Sequence, residues 1–348
     1  MQNTLTSSRR RVRGYRCLIG LVLFAALLFT GTRAELTASA ATADTGFQGP
    51  TYSGVTAPTG EKPESKLWYN DGSWWAAMFA TPSGSWHIFR LDRSATPKEW
   101  VDTGTVLDNR AATLSDVLWN GSKLYVASHV KATSHTTGVT GQPARLYRFS
   151  YDAMSKTYGL DSGFPSAINN VSSETLVIDQ DSTGVLWATW TQGQQVYVTS
   201  SASGNGWATP FVLPVNYATG IDPYDISTIV TFQGRIGVLW SSQSNSAVYF
   251  SFHSNGDPGS TWSSTERVTV PGSGQADDHL NIKELRADPT GRIFAVIKTS
   301  LDHAGGAAPQ IVVLSRAARG GWNRATFGTV GDCHTRPILM LDATNSLV

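Results

Sequence analysis

Two four-residue stretches set acidic side chains beside a histidine: Ala276-Asp277-Asp278-His279 and Gly331-Asp332-Cys333-His334. An imidazole titrates near neutrality and a neighbouring carboxylate orients it. Each stretch therefore offers a general acid or base, or ligands for a divalent cation. Both stand just ahead of segments that read as apolar strands. Other strand starts are equally polar: Ser65-Lys66, Ser115-Asp116, Ser173-Glu174, Ser227-Thr228, Asn281 with Lys283, and Thr335-Arg336. If these starts converge, His279, His334, Asp116 and Glu174 are candidates for acid, base or nucleophile work, and Lys66, Asp278, Lys283 and Arg336 for holding substrate. A solvated set of mutually satisfied ion pairs would use the same residues and is the alternative reading. Gly-x-Ser-x-Gly, P-loop, HExxH and CxxC patterns are absent, so the sequence names no cofactor.

The elements that must position these residues repeat along the chain. Five segments share one order of parts: a polar start, an apolar strand, a tight turn, an aromatic-rich strand, a variable loop, a third alternating strand and a turn ending at an aromatic. They begin with SKLWYNDGSWWAAMF (65–79), SDVLWNGSKLYVASH (115–129), SETLVIDQDSTGVLWATW (173–190), STIVTFQGRIGVLW (227–240) and NIKELRADPTGRIFAVIK (281–298). The turn glycines Gly72, Gly121, Gly184, Gly234 and Gly291 lie 49, 63, 50 and 57 residues apart, the length of a four-stranded blade plus its loops. No sustained helical periodicity accompanies them. The expected fold is an all-β propeller of four-stranded blades, five complete and a sixth begun, over residues 61–348.

The turn before a fourth strand, Asp257-Pro-Gly259-Ser-Thr261-Trp262, fits the Asp-box pattern S-x-D-x-G-x-T-W at every position but the first, which is Asn255. Degenerate versions precede Trp100, Tyr158, Trp207 and Trp322. The chain thus resembles the sialidase-like BNR/Asp-box propellers from about residue 60 onward. The resemblance implies that Asp257 caps its own turn, that the aromatics pack between blades, and that ligands are extracellular glycans or polysaccharides met at the channel mouth. Such a protein is either a glycoside hydrolase or polysaccharide lyase, or a non-catalytic carbohydrate-binding or adhesion propeller. The F/Y-R-I-P motif of sialidases does not occur, and Arg110 and Arg336 make no arginine triad by motif.

The N-terminus reads as a signal peptide over residues 1–40. A basic run (Arg9, Arg10, Arg11, Arg13, Arg16) precedes the apolar Cys17–Phe29, which is short for a bilayer span, and small-residue sites follow at Ala38-Ser39-Ala40 and Ala41-Thr42-Ala43. Cleavage implies secretion, with residues 41–60 left as a linker or closing strand. It takes away six Arg and one Glu, leaving 21 basic against 25 acidic side chains where the whole chain carries a net +1. A mildly acidic chain without basic runs is a poor partner for nucleic acid. Only Cys333 survives cleavage, so packing alone must hold the fold. At the other end, Asp342-Ala-Thr-Asn345-Ser-Leu347 repeats Asp288-Pro-Thr-Gly291-Arg-Ile293, which places Val348 inside a sixth blade and implies further strands beyond it.

Overall fold

A computed structural model describes residues 51–55, 62–96, 98–132, 138–282 and 291–340, all within a unit spanning Phe47–Val348. The described residues contain no α-helix, and none of their helices is long and apolar enough to cross a membrane. The first sheet runs β1 (Leu67–Asn70), β2 (Ser73–Ala80), β3 (Ser85–Asp92) and β4 (Glu99–Asp108). The second runs β5 (Thr113–Trp119), β6 (Lys123–Val130), β7 (Arg145–Asp152) and β8 (Thr157–Leu160), with β9 (Ser166–Ala167) also paired to β7. The third is β10 (Leu176–Gln180), β11 (Leu186–Gln192), β12 (Gln195–Ser201) and β13 (Phe211–Val212). The fourth is β14 (Ser227–Phe232), β15 (Arg235–Ser242), β16 (Ala247–Ser254) and β17 (Glu266–Arg267). The fifth is β18 (Leu280–Asn281), β19 (Ile293–Lys298), β20 (Pro309–Arg316) and β21 (Trp322–Thr329). All pairings between these strands are antiparallel, so the all-β expectation and the four-stranded unit are both found. Tight turns make this possible: Asp71-Gly72 and Gln233-Gly234 all have positive φ, between 43° and 70°, the geometry of two-residue hairpins.

Successive side chains of a strand point to opposite faces, and here both faces are apolar because each meets a different neighbour. On β5, Val117 joins the core with the first sheet while Leu118 joins the core with the third. On β10, Ile178 faces the second sheet and Val177 the fourth. On β14, Ile229 faces the third and Val230 the fifth. First strands also touch in series, β1 with β5, β5 with β10, β10 with β14 and β14 with β18. Sheets stacked face to face in chain order, inner strand against inner strand, are packed as blades are.

An inner strand has a ladder partner on one side only, so its other edge presents unpaired amides. Carboxylates from neighbouring sheets meet them. Glu64 accepts the Leu176 N–H at 3.1 Å, and Asp116 accepts the Ile178 N–H at 2.9 Å with one oxygen and the Ser65 N–H at 2.8 Å with the other. Asp179 accepts the Thr231 N–H at 2.8 Å. Asp116 is completely buried, so it joins three sheets at their inner edges and has no access to a substrate. This corrects its placement among the catalytic candidates.

The Asp-box chemistry is distributed differently from the expectation. Self-capping occurs at Asp92, whose carboxylate accepts the Ser94 and Ala95 amides, and at Asp152, which accepts those of Met154 and Ser155. At Asp257 the turn is closed by backbone bonds, Asp257 N–H to the Ser254 carbonyl and Thr261 N–H to the Pro258 carbonyl. Trp207, Trp262 and Trp322 each pack against an inter-sheet core, whereas Trp100 packs with Tyr52 on the other face of the first sheet. Residues 51–55 form no strand. Tyr52 packs on the first sheet and Ser53 N–H donates to Thr81 Oγ1. The signal peptide, Lys283 and the start of a sixth blade at Asp342–Leu347 lie outside the described residues.

Replacing Asp116 with Ala removes the acceptor of the buried Ile178 amide, worth about 1–3 kcal/mol when left unpaired, and that of the part-buried Ser65 amide. We expect Asp116→Ala to lose at least ~2 kcal/mol in urea unfolding and Asp116→Asn, which keeps one acceptor, to lose less. Unchanged midpoints for Asp116→Ala would show that the inner edges are held some other way.

Candidate functional site

The polar starts of the first strands bring together residues far apart in sequence. Lys62 precedes β1, Glu174 lies two residues before β10, and Asp277, Asp278 and His279 lead directly into β18. Lys298 ends β19, and its N–H donates to the His279 carbonyl, so the second strand returns to the same end of the sheet. Lys62 Nζ donates to Glu174 at 2.5 Å and to Asp278 at 2.6 Å, placing the two carboxylate oxygens within about 5 Å of each other. His279 Nδ1 meets Asp277 at 2.5 Å and Asp278 at 2.7 Å, and Lys298 Nζ donates to Asp277 at 2.8 Å. Three cations and three carboxylates thus alternate in one half-buried cluster.

Its electrostatics separate the carboxyls. Burial pushes Glu174 up, and the charge of Lys62 only partly opposes this. Burial would raise Asp278 too, but hydrogen bonding from His279 and the Lys62 charge hold it far below the usual carboxylate range. Burial alone would depress the His279 imidazole, yet its bonds to Asp277 and Asp278 outweigh that and push its pKa up to about 9. His279 is therefore an imidazolium at neutral pH. The Lys62 and Lys298 ammoniums, resisted by burial, are held charged by the same carboxylates. Asp277, Asp278 and His279 also offer ligand atoms all within 4.8 Å of one another, the compactness a divalent cation requires. A cation there would displace both ammoniums and the imidazolium proton.

A second charge group lies deeper. Glu64 is fully buried and meets His129 Nε2 at 2.5 Å and Lys66 Nζ at 3.0 Å; although burial opposes it, these partners and the Leu176 amide hold its pKa down at about 2. Lys66 also donates to the Ser115 carbonyl. Its ammonium is thereby fixed inside the protein and turned away from any substrate, which corrects its assignment to binding.

His334 does not join His279. Its ring lies beside Phe327 and against Gly328, on β21. The row from His279 runs across the sheet through Lys298, Ile311 and Gly328. Three strand spacings therefore separate the two histidines, roughly 14 Å. Sequence order suggested equivalent places for them, but after β21 the chain turns back over the outer strand before going on. Arg336 is exposed, in a left-handed backbone conformation, in that same segment. Of the candidates, Glu174, Asp278 and His279 come together, while Asp116, Lys66, His334 and Arg336 do not join them. Lys62 and Lys298 were missed. A Lys at the end of a strand is a visible signal only once its partner strand's start is known to be acidic, and Lys62 carries no local signal at all.

No protein-family model matches the chain, and neither does any curated protein. Among solved structures it is similar to the GH43_1 enzyme from Xanthomonas citri complexed with xylose, at 13% identity and a TM-score of 0.43, over 79% of this chain and 93% of that one. It is similar to the polysaccharide lyase Uly1 at 9% identity and a TM-score of 0.42, over 76% of this chain and 72% of that one. It is also similar to a mutant of the NanB sialidase from Streptococcus pneumoniae, at 11% identity and a TM-score of 0.35, over 78% and 44% of the two chains.

His279 gives that cluster a pH signature. Its folded pKa of about 9 lies above the ordinary 6.5, so its contribution to stability is complete below 6.5 and disappears as pH rises through 9. Melting temperature should fall across that window, and His279→Gln should flatten the fall. A wild-type melting curve with no slope there, or an equal slope in the variant, would mean that the imidazolium is not held by Asp277 and Asp278.

Proposed function

We propose that the chain is an exported β-propeller, its described sheets serving as blades, that engages extracellular glycan at the mouth formed by Lys62, Glu174, Asp277, Asp278, His279 and Lys298, and that it hydrolyses glycosidic bonds there. The observation that carries this reading is the pair of carboxyls on one ammonium: Glu174, driven upward by burial, and Asp278, driven downward by its cationic partners. A carboxyl whose proton affinity is raised, beside one whose proton affinity is lowered, is the pairing that glycoside hydrolysis uses. Glu174 would protonate the departing oxygen. Asp278 would meet the positive charge that develops on the sugar, and the His279 imidazolium and Lys298 would hold hydroxyl or carboxylate groups of the substrate. Residues 1–40 would direct export.

One observation favours a binding-only reading. Every charge of the cluster already has an ion-pair partner, as a rigid recognition surface would. The two readings part in a polysaccharide screen that scores retention and reducing-end release separately. Hydrolysis predicts released ends that vanish in Glu174→Gln and Asp278→Asn while binding persists. Binding alone predicts retention with no released ends, and neither retention nor release from any polysaccharide would remove glycan as the ligand.

The pH profile adds a sharper expectation. Activity should decline as pH rises through the pKa of Glu174, because the acid loses its proton. Lys62 holds that pKa down, so Lys62→Met should move the alkaline limb to higher pH. A limb that moves downward or stays in place would take Glu174 out of the acid role.

A further inference from the structure

Apart from that mouth, the outer half of the first sheet holds two serines, a histidine and an aspartate in hydrogen-bonded series. Ser85 and His87 stand two residues apart on β3 and so share one face. His87 Nδ1 lies 2.8 and 3.0 Å from the two oxygens of Asp102 on β4. His87 Nε2 lies 2.9 Å from Ser85 Oγ and 3.2 Å from Ser83 Oγ, and the two hydroxyls are 2.7 Å apart. A carboxylate at Nδ1 fixes the imidazole proton there and leaves the Nε2 lone pair facing a hydroxyl, the polarity that activates a serine. Asp102 is itself steadied by the Gly104 N–H at 2.8 Å.

The chain contains a control for this geometry. His129 also has a serine on one side and a carboxylate on the other, but its Nδ1 faces the Ser173 carbonyl at 3.1 Å as well as Ser173 Oγ at 3.2 Å. A ring nitrogen that faces a carbonyl carries the proton and cannot take one from the hydroxyl, and His129 and Ser173 are completely buried. At His87 the order is reversed and the series reaches the surface. Ser83 is exposed in the turn between β2 and β3, Ser85 and His87 are buried beneath it, and the Asp102 side chain is 37% exposed.

We propose that Ser83, His87 and Asp102 form a second reactive site, an acyl-transfer centre for small carboxylic esters, with Ser85 relaying the proton. Ser83 Oγ attacks the ester carbonyl carbon, and its proton passes to His87 Nε2, directly or through the Ser85 hydroxyl. The carbon–alkoxy bond then breaks, and the departing alcohol takes that proton from Nε2. Water, deprotonated by the same nitrogen, attacks the acyl-serine, releases the carboxylic acid and restores the hydroxyl. The Ser83 and Gly84 amides both donate to the Ala80 carbonyl, at 3.2 and 2.9 Å, and Ser83 Oγ can donate there too, at 3.2 Å. Those two amides are therefore turned away from the tetrahedral oxyanion, and each missing donor costs about 100- to 1000-fold in rate. The expected signature is a slow covalent event rather than rapid turnover.

The test uses the full chain, a fluorophosphonate probe and p-nitrophenyl acetate. Mass spectrometry should find the phosphonate on Ser83, and acetate release should show a burst followed by slow turnover. Ser83→Ala, in an exposed turn, should melt like wild type and lose both signals. Asp102→Asn should slow labelling by ~100-fold or more, since the imidazole loses the partner that fixes its tautomer, while Ser85→Ala should label more slowly but still on Ser83. Absence of any label on Ser83, or labelling at the wild-type rate in Asp102→Asn, would overturn the proposal and leave the series as a fastening between β3 and β4.

Discussion

Among the described residues, each inner strand has a β-ladder on one side only, and the rest of the structure depends on how the amides of its open edge are satisfied. The Val117 amide of β5 meets the Ser65 carbonyl at 3.0 Å, and carboxylates meet others. Alternate amides of β10, at Leu176 and Ile178, are taken by Glu64 and Asp116, and the Thr231 amide of β14 is taken by Asp179. One buried carboxylate can serve amides of two different sheets, as Asp116 does with Ser65 and Ile178. The inner strands are thereby fastened to each other by side chains where no ladder is possible.

That solution creates a second demand. A carboxylate deprived of water must be compensated by donors or cations, or it takes up a proton. Glu64 remains ionised because Lys66, His129 and a backbone amide surround it. The same requirement, nearer solvent, gathers Lys62, His279 and Lys298 around Glu174, Asp277 and Asp278. There the compensation is uneven: Asp278 receives hydrogen bonds and charge from the imidazolium and the Lys62 ammonium and is held down, whereas burial outweighs the charges of Lys62 and Lys131 at Glu174, which stays raised. Carboxyls of one cluster are thus made chemically distinct by the uneven supply of cations around them.

The outer strands face no such demand, and their polar residues do local work. Asp92 and Asp152 cap the turns that follow their own strands, and Glu266 accepts from Arg316 and from Trp322 Nε1, joining the outer strands of two neighbouring sheets. Ser83, His87 and Asp102 belong to this outer region, where exposure returns and a side-chain series can meet solvent.

Much of this was legible in the chain itself. Repeated strand order and Gly spacing determined the hairpins, and apolar residues on both faces of Val117-Leu118, Val177-Ile178 and Ile229-Val230 determined that the second, third and fourth sheets each lie between two others. Polar strand starts marked Glu174, Asp278 and His279, because residues at equivalent places in successive units end up at the same end of their sheets. What tertiary structure decided was who meets whom. Lys62 reaches Asp278 across 216 residues, Asp116 turns inward to backbone amides rather than outward to ligand, and His334 folds back over β21. Asp102 faces His87 only through the register of β3 and β4, which contains shifts beside His87 itself. A strand's sequence states which residues share a face, since that follows from its period of two. It does not state which strand edge lacks a partner or how a bulge slides one strand on the next, and those two features govern which charges must be neutralised and by which distant group.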